Sequence, residues 1–142
     1  MPHATRNPKA AAQAGRIPNL FHELFEAVPA LVVLTDQDGR IILFNAACEA
    51  LTGYSRDEVI GRAIPELFLP TEWVPIVMQR FADPEASEVQ LPHENPWITK
   101  SGERRMIEWR CATFRAPGAS GPYVLGAGVD LTPRSDIERV AK

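Results

Sequence analysis

The chain has 142 residues, enough for one domain with a real core, and its formal net charge is −3. Its Lys and Arg residues are scattered, which excludes the basic footprint of a nucleic-acid-binding surface, and no apolar run approaches the ~20 residues of a membrane span. The two cysteines, Cys48 and Cys111, form neither a metal-ligand spacing nor a disulfide framework, so we expect a cytoplasmic protein that contacts neither nucleic acid nor membrane directly.

The N-terminal part predicts an arm, a helix and a hairpin. Residues 1–17 are rich in Ala, Pro and polar side chains without periodicity, which predicts a disordered arm. A helix ending at Pro29 follows, because apolar side chains recur on one face, namely Leu20, Phe21, Leu24, Phe25 and Val28. The β-rich runs Leu31–Thr35 and Arg40–Phe44 flank an Asp-Gly dipeptide, a pattern that predicts a hairpin.

Capping residues predict two short helices in the middle of the chain. Asn45 is the expected N-cap of a helix over Ala46–Thr52, which Gly53 terminates. Ser55 and Glu58 have the spacing of a capping box and predict a second helix of one to two turns.

A third helix is expected after Ala63–Pro70, a mixed apolar stretch to which the pattern assigns no regular element. Thr71 is its expected cap, and the helix runs through Phe81. Its predicted inner face comprises Trp73, Ile76, Val77 and Phe81.

The C-terminal third is β-rich. Val89–Lys100 and Arg105–Arg115 flank a Ser-Gly turn, and a last strand begins at Tyr123. Along the middle strand, alternation places one set of side chains on the same face: Ile107, Trp109, Cys111 and Thr113. Five strands in two groups, with short helices between the groups, predict an α+β domain.

The last strand stops at Asp130-Leu131-Thr132, and a helix is predicted to begin soon after. Ser135 and Glu138 again form a capping box. Residues 135–142 are too few for a helix that is stable alone. We interpret them as the start of an outgoing helix cut from a longer protein, although an ordinary frayed C-terminus has the same signature.

The residues also carry a family likeness. The run from Leu31 to Gly61 resembles the N-terminal half of a PAS domain, and the run from His93 to Glu138 resembles its C-terminal half, including the Asp-hydrophobic-Thr end motif. The resemblance covers about residues 20–140 and places the domain at 18–134. It implies a five-stranded antiparallel sheet with short helices on one face, a small cavity and an N-terminal amphipathic helix.

The resemblance implies a function in bacterial signal transduction. PAS domains serve as input modules of two-component histidine kinases, GGDEF proteins and transcription regulators. We expect a homodimer formed through the Leu20/Phe21/Leu24/Phe25/Val28 face, a cavity that senses a small ligand, and relay through Asp130 and Thr132 to a C-terminal kinase, GGDEF or DNA-binding domain. The alternative is a ligand-free dimerisation or relay module.

The ligand class is narrowed by departures from subfamily motifs. The flavin-bonding Cys of light-sensing LOV members corresponds to Ile64, and their flavin-contacting Gln corresponds to Gly128, which argues against a covalent flavin. Haem is disfavoured because the segment 71–81 has no His. Three possibilities stay open: noncovalent FAD near Asn95 and Trp97, a small metabolite, or an empty cavity.

The candidate pocket residues are Val33, Ile64, Leu67, Trp73, Val77, Phe81, Trp97, Trp109, Cys111 and Gly128. The three tryptophans among them either line a cavity or fill the core themselves. No nucleophile elbow and no phosphate-binding Gly-rich loop occurs, so we expect no catalytic residue, no metal site and no enzymatic activity in this domain.

Overall fold

The structure is a computed structural model that describes residues 19–82, 92–115 and 117–132. The helices are α1 (residues 19–27), α2 (Ala46–Thr52), α3 (Arg56–Val59), α4 (Ile64–Leu67) and α5 (Val74–Ala82), the last preceded by a 3-10 turn at Thr71–Trp73. The strands are β1 (Leu31–Thr35), β2 (Ile41–Phe44), β3 (His93–Ile98), β4 (Arg104–Phe114) and β5 (Tyr123–Asp130). The predicted arm at 1–17 and the helix expected at 135–142, with its Ser135–Glu138 capping box, lie outside the described residues.

The strands form one antiparallel sheet in the order β2-β1-β5-β4-β3. The last strand therefore occupies the centre, between β1 and β4. Its Gly126 pairs with Val33 on one side and with Cys111 on the other. The predicted five-stranded α+β architecture is confirmed.

The predictions of α2, α3 and the β1–β2 hairpin, which depended on caps and a turn, are also confirmed. The Asn45 side chain accepts the Cys48 N–H, and Gly53 ends α2 at φ 80°. Ser55 and Glu58 form the reciprocal capping box at the start of α3. The β1–β2 hairpin turns at Gly39, also with positive φ.

In the segment 63–81 one helix was not predicted, and two predictions are wrong, namely the cap at Thr71 and the inward position of Ile76. The stretch Ala63–Pro70 contains α4, whose Pro65 stands in its first turn, where the missing N–H costs nothing. Thr71 does not cap a helix, because it begins the 3-10 turn, whose N-cap is Pro70 without a side-chain cap bond. Ile76 is 46% exposed rather than inward.

Helices cover only one face of the sheet. Strand residues on this inner face form a single apolar cluster with helix residues such as Cys48 and Val59 and with Phe68, which follows α4. On the outer face, Leu43, Leu125 and Val129 are exposed. None of the described helices is long and apolar enough to cross a membrane.

Candidate functional site

An aromatic stack fills the space between the helices and the sheet. The rings of Phe68 and Trp97 are parallel at 4.3 Å, and Trp97 meets Trp109 at 5.0 Å. Phe44 also lies parallel to the Phe68 ring, at 5.9 Å, and Tyr54 meets the same ring edge-on. Trp97 is only 2% exposed. Two of the three tryptophans are therefore part of the core itself.

The predicted pocket residues lie mostly in or beside this core. Val33, Ile64, Val77, Trp97, Trp109 and Gly128 are buried, and Leu67, Trp73 and Cys111 are half-buried. Nothing is described for the side chain of Phe81. Sequence reasoning missed Phe68, the central ring of the stack, because it follows α4, a helix that the pattern did not predict.

The core is closely packed around Gly128 of β5. A Cβ atom at Gly128 would lie 2.8 Å from both Ile107 and the Trp109 ring. The space that a longer side chain at residue 128 would need is thus occupied by Trp109, its cross-strand neighbour on β4. A flavin-contacting Gln at this position does not fit the observed packing.

The two thiols are not placed for redox or nucleophilic chemistry. Burial raises the pKa of the Cys48 thiol to about 12, although hydrogen bonds with the backbone of Asn45 and Val32 oppose the shift. Burial also raises the pKa of the half-buried Cys111 thiol. Both therefore stay protonated at neutral pH. Within the described ranges, no group of three His, Cys, Asp or Glu side chains could hold a metal ion.

We expect native Cys48 to react with iodoacetamide at pH 8 at least ~100-fold more slowly than in the urea-unfolded chain, because the thiolate is the reacting species. Its folded pKa exceeds the unfolded value, so its contribution to stability is complete below the unfolded pKa and is lost as pH rises toward 12. Peptide mapping by mass spectrometry measures the rate. Equal rates in the native and the urea-unfolded chain would contradict a raised pKa of the buried Cys48 thiol.

The end of β5 forms a hydrogen-bonded corner with β4, here called the exit corner and made of Arg105, Met106, Asp130 and Thr132. The Arg105 guanidinium donates two hydrogen bonds to Oδ2 of Asp130, one of them 3.0 Å long from Nε. Oδ1 of Asp130 accepts the Thr132 N–H at 3.0 Å. The Thr132 hydroxyl oxygen accepts the Met106 N–H at 2.8 Å.

The exit corner continues the β4–β5 ladder past the last strand residue. Leu131 N–H donates to the Met106 carbonyl at 2.8 Å. The side chains of Arg105 and Asp130 are 24% and 16% exposed, so solvent screens this ion pair less than a surface pair. The corner therefore holds Asp130 and Thr132 against Arg105 and Met106 of β4.

A second polar junction joins α1 to the domain. The Asn45 amide donates to the carbonyls of Phe25 and Ala30 and accepts from the N–H of Val32, besides capping α2. Arg56 binds the Glu26 carboxylate of α1. Sequence analysis identified the cap but missed these partners, which lie 13 to 20 residues away from Asn45.

One face of α1 remains uncovered. Leu20, Phe21 and Leu24 are 51%, 60% and 55% exposed. Phe25 is buried within the domain and Val28 is half-buried, so only part of the predicted dimer face is available to a partner.

Comparison with known proteins agrees with this architecture. The family model described as PAS fold matches residues 19–130. The chain is 27% identical to the signal transduction histidine-protein kinase AtoS of Escherichia coli (strain K12), over 95% of this chain and 24% of the kinase. It therefore spans about a quarter of that relative's length.

Two solved structures are similar in fold. The PAS domain of an HTR-like protein from Haloarcula marismortui has a TM-score of 0.69 at 22% identity, covering 87% of this chain and 99% of that one. The PAS domain of the Cronobacter turicensis RpfR quorum-sensing receptor, in complex with BDSF, has a TM-score of 0.62 at 21% identity, covering 73% and 95%. With the family match over residues 19–130, these results show that the chain belongs to the PAS fold family.

Proposed function

We propose that this domain is the sensory input module of a cytoplasmic signal-transduction protein. A small ligand binds between the helices and the inner face of the sheet, displaces β5, and so changes the direction of the chain that leaves the domain. The domain itself carries no catalysis. The similarity to AtoS supports a histidine kinase as the C-terminal effector, with a GGDEF or DNA-binding domain as alternatives.

The observation that carries this proposal is the exit corner at the end of the central strand. β5 contributes Gly126 and Gly128 to the core, where both lie against Trp109. The same strand ends at Asp130, which the Arg105 pair holds to β4. A shift in the core packing is thus transmitted along one short strand to the point where the chain exits.

Thr132 offers a test of the corner in the isolated domain. Thr132→Val removes the oxygen that accepts the Met106 N–H, whereas Thr132→Ser keeps it. We expect Thr132→Val to accelerate hydrogen exchange of the Met106 amide at least ~10-fold, since the exposed amide loses its acceptor, and Thr132→Ser to leave it nearly unchanged. NMR-detected exchange gives both rates. Similar rates in the two variants would show that the hydroxyl does not hold the corner.

Signalling is tested in the full-length protein that contains this domain. Asp130→Ala is expected to abolish the change in effector output while ligand affinity stays within about threefold, because Asp130 lies at the exit rather than at the core. Native mass spectrometry and an absorption spectrum of the purified protein identify a bound ligand. An Asp130→Ala protein with normal output would refute the relay.

The exposed face of α1 favours a second candidate function, a ligand-free dimerisation module. Three large apolar side chains exposed side by side mark a surface suited to a second copy of the chain. Both functions are compatible with a homodimer, and they differ in whether any ligand binds.

We expect Leu24→Glu to convert a dimer to a monomer in light scattering, because it places a charge in the middle of the apolar face. His22→Glu is the matched control, since it adds the same charge at another exposed position of α1. If the Leu24→Glu protein is still a dimer, the exposed face of α1 is not part of the interface.

A further inference from the structure

The guanidinium of Arg105 is held by two carboxylates, only one of which belongs to the exit corner. Its Nε and Nη2 atoms donate to Oδ2 of Asp130, and its Nη1 atom donates to the Glu103 carboxylate at 2.6 Å. Because the guanidinium is a rigid planar fork, a bond from Nη1 restricts rotation of the edge that carries Nε and Nη2. Glu103 therefore helps to orient the group that holds Asp130.

Glu103 is the last residue of the β3–β4 turn, which comprises residues 99–103. The Thr99 N–H donates to the Glu103 carbonyl at 2.8 Å, and the Glu103 N–H donates to the Thr99 hydroxyl oxygen at 3.1 Å. Gly102 lies between them at φ 92°, a backbone conformation that glycine adopts without strain. The backbone of Glu103 therefore moves with the turn as a unit.

The β3–β4 turn is attached to the helices through Lys100. The Lys100 N–H donates to the carbonyl of Thr52, the last residue of α2, at 2.8 Å. Its Nζ atom donates to both carboxylate oxygens of Glu58 on α3, at 2.9 and 3.1 Å. The same Nζ atom lies 5.5 Å from the centre of the Tyr54 ring, within cation–π range. Lys100 thus joins the turn to α2, to α3 and to the segment between them.

Tyr54 connects this attachment to the aromatic stack of the core. Its ring meets Phe68 edge-on at 5.6 Å, and Phe68 is parallel to Trp97 at 4.3 Å. A displacement of the stack or of the helices that cover it therefore reaches groups that contact Lys100.

We propose that the β3–β4 turn is a second route from the core to the exit corner, in which Lys100 and Glu103 are positioning residues. Lys100 follows movement of α2 and α3, and Glu103 passes the movement of the turn to Arg105. This inference rests on the proposed sensory function and adds a route through the helices to the one along β5. Both routes end on the pair of Arg105 and Asp130.

Hydrogen exchange of the Met106 amide tests this route in the 142-residue chain, because that amide is part of the exit corner. We expect Glu103→Ala to accelerate the exchange at least ~5-fold, since it frees one side of the half-buried Arg105 guanidinium. Lys100→Met removes a more exposed ion pair, so we expect a smaller acceleration of at least ~3-fold. NMR-detected exchange gives the rates.

Arg62→Met is the matched control for Lys100→Met. It removes the same charge from an ion pair of similar exposure, the one with Glu66, which does not touch the β3–β4 turn. We expect it to change the exchange of the Met106 amide less than about 1.5-fold. If Lys100→Met has no larger effect than Arg62→Met, Lys100 is an ordinary surface residue and the proposed route is wrong.

A second amide separates a local effect on the exit corner from a general loss of stability. The buried Asn45 N–H donates to the Val32 carbonyl, away from the corner. In Glu103→Ala and Lys100→Met its exchange should change less than about 1.5-fold. Equal acceleration of the Asn45 and Met106 amides would overturn the proposal, because the two variants would then act through global unfolding.

Effector output in the full-length protein separates this inference from the function on which it rests. Glu103→Ala is expected to reduce the ligand-dependent change in output at least ~3-fold while ligand affinity stays within about threefold, because Glu103 acts on Arg105 and not on the ligand. If Asp130→Ala abolishes the change and Glu103→Ala leaves it intact, the turn route fails and the sensory function stands. If neither variant alters the output, both fail.

Discussion

Asn45→Ala is expected to lower the free energy of unfolding by about 3–5 kcal/mol, a large part of the stability of a domain this size. The side chain is fully buried, and its amide makes four hydrogen bonds at 3.0–3.2 Å. Removing it leaves the carbonyls of Phe25 and Ala30 and the N–H of Val32 without that partner. It also removes the cap of α2, which alone contributes about 1 kcal/mol.

Asn95→Ala is the matched control, because it deletes the same amide from another buried position. Within the described part of the chain, the Asn95 side chain makes one hydrogen bond. This bond is long, 3.4 Å from Nδ2 of Asn95 to the Pro96 carbonyl. Urea unfolding followed by circular dichroism should show a clearly smaller loss for Asn95→Ala. Equal losses would mean that burial of an amide, rather than the four bonds of Asn45, determines the effect.

The hydrogen bonds of Asn45 show which contacts local sequence patterns can predict and which they cannot. The cap on Cys48 N–H is a contact over three residues, and such contacts follow from residue type and spacing. The same is true of Gly53 at the end of α2 and of the capping box at Ser55. The bonds to Phe25 and Ala30 depend on where α1 packs, which no local pattern specifies.

The segment after Gly61 shows where pattern reasoning missed an element. The helix α4 has only four residues and no side-chain cap, so neither periodicity nor capping marks it. Its stability comes from tertiary burial of Ile64 and of Phe68 beyond its end. The aromatic stack around Phe68 could therefore not be predicted from the sequence, although its two tryptophans were identified as pocket candidates.

The candidate site likewise contains some residues that the sequence identified and others that only the structure reveals. The resemblance identified Asp130 and Thr132, and alternation placed Trp109 and Cys111 on one face of β4. Their partners required the sheet register, which pairs β4 with β5 so that Arg105 can reach Asp130. The burial of one guanidinium nitrogen of Arg80, on α5, was also not predictable, because a charged residue on a helix normally indicates the solvent side.

Gly128→Ala is expected to lower the free energy of unfolding by about 1–3 kcal/mol through overpacking. The new methyl group would lie 2.8 Å from Cγ2 of Ile107 and from two ring atoms of Trp109, closer than such contacts occur without a shift. Neither neighbour can withdraw easily, since both are buried side chains in the aromatic core. Thermal or urea unfolding measures the loss.

Gly126→Ala is the matched control, because Gly126 lies on the same face of β5 and also contacts Trp109. A Cβ atom there would lie 3.3 Å from the ring, a distance that a small adjustment relieves, so the loss should be smaller. The double variant Gly128→Ala/Trp109→Phe should be more stable than the two single effects predict, by about 1 kcal/mol, since the smaller ring makes room for the methyl group. Strict additivity would mean that Trp109 is not what closes residue 128. Ile107, whose Cγ2 atom is equally close, would then be the side chain that closes the position.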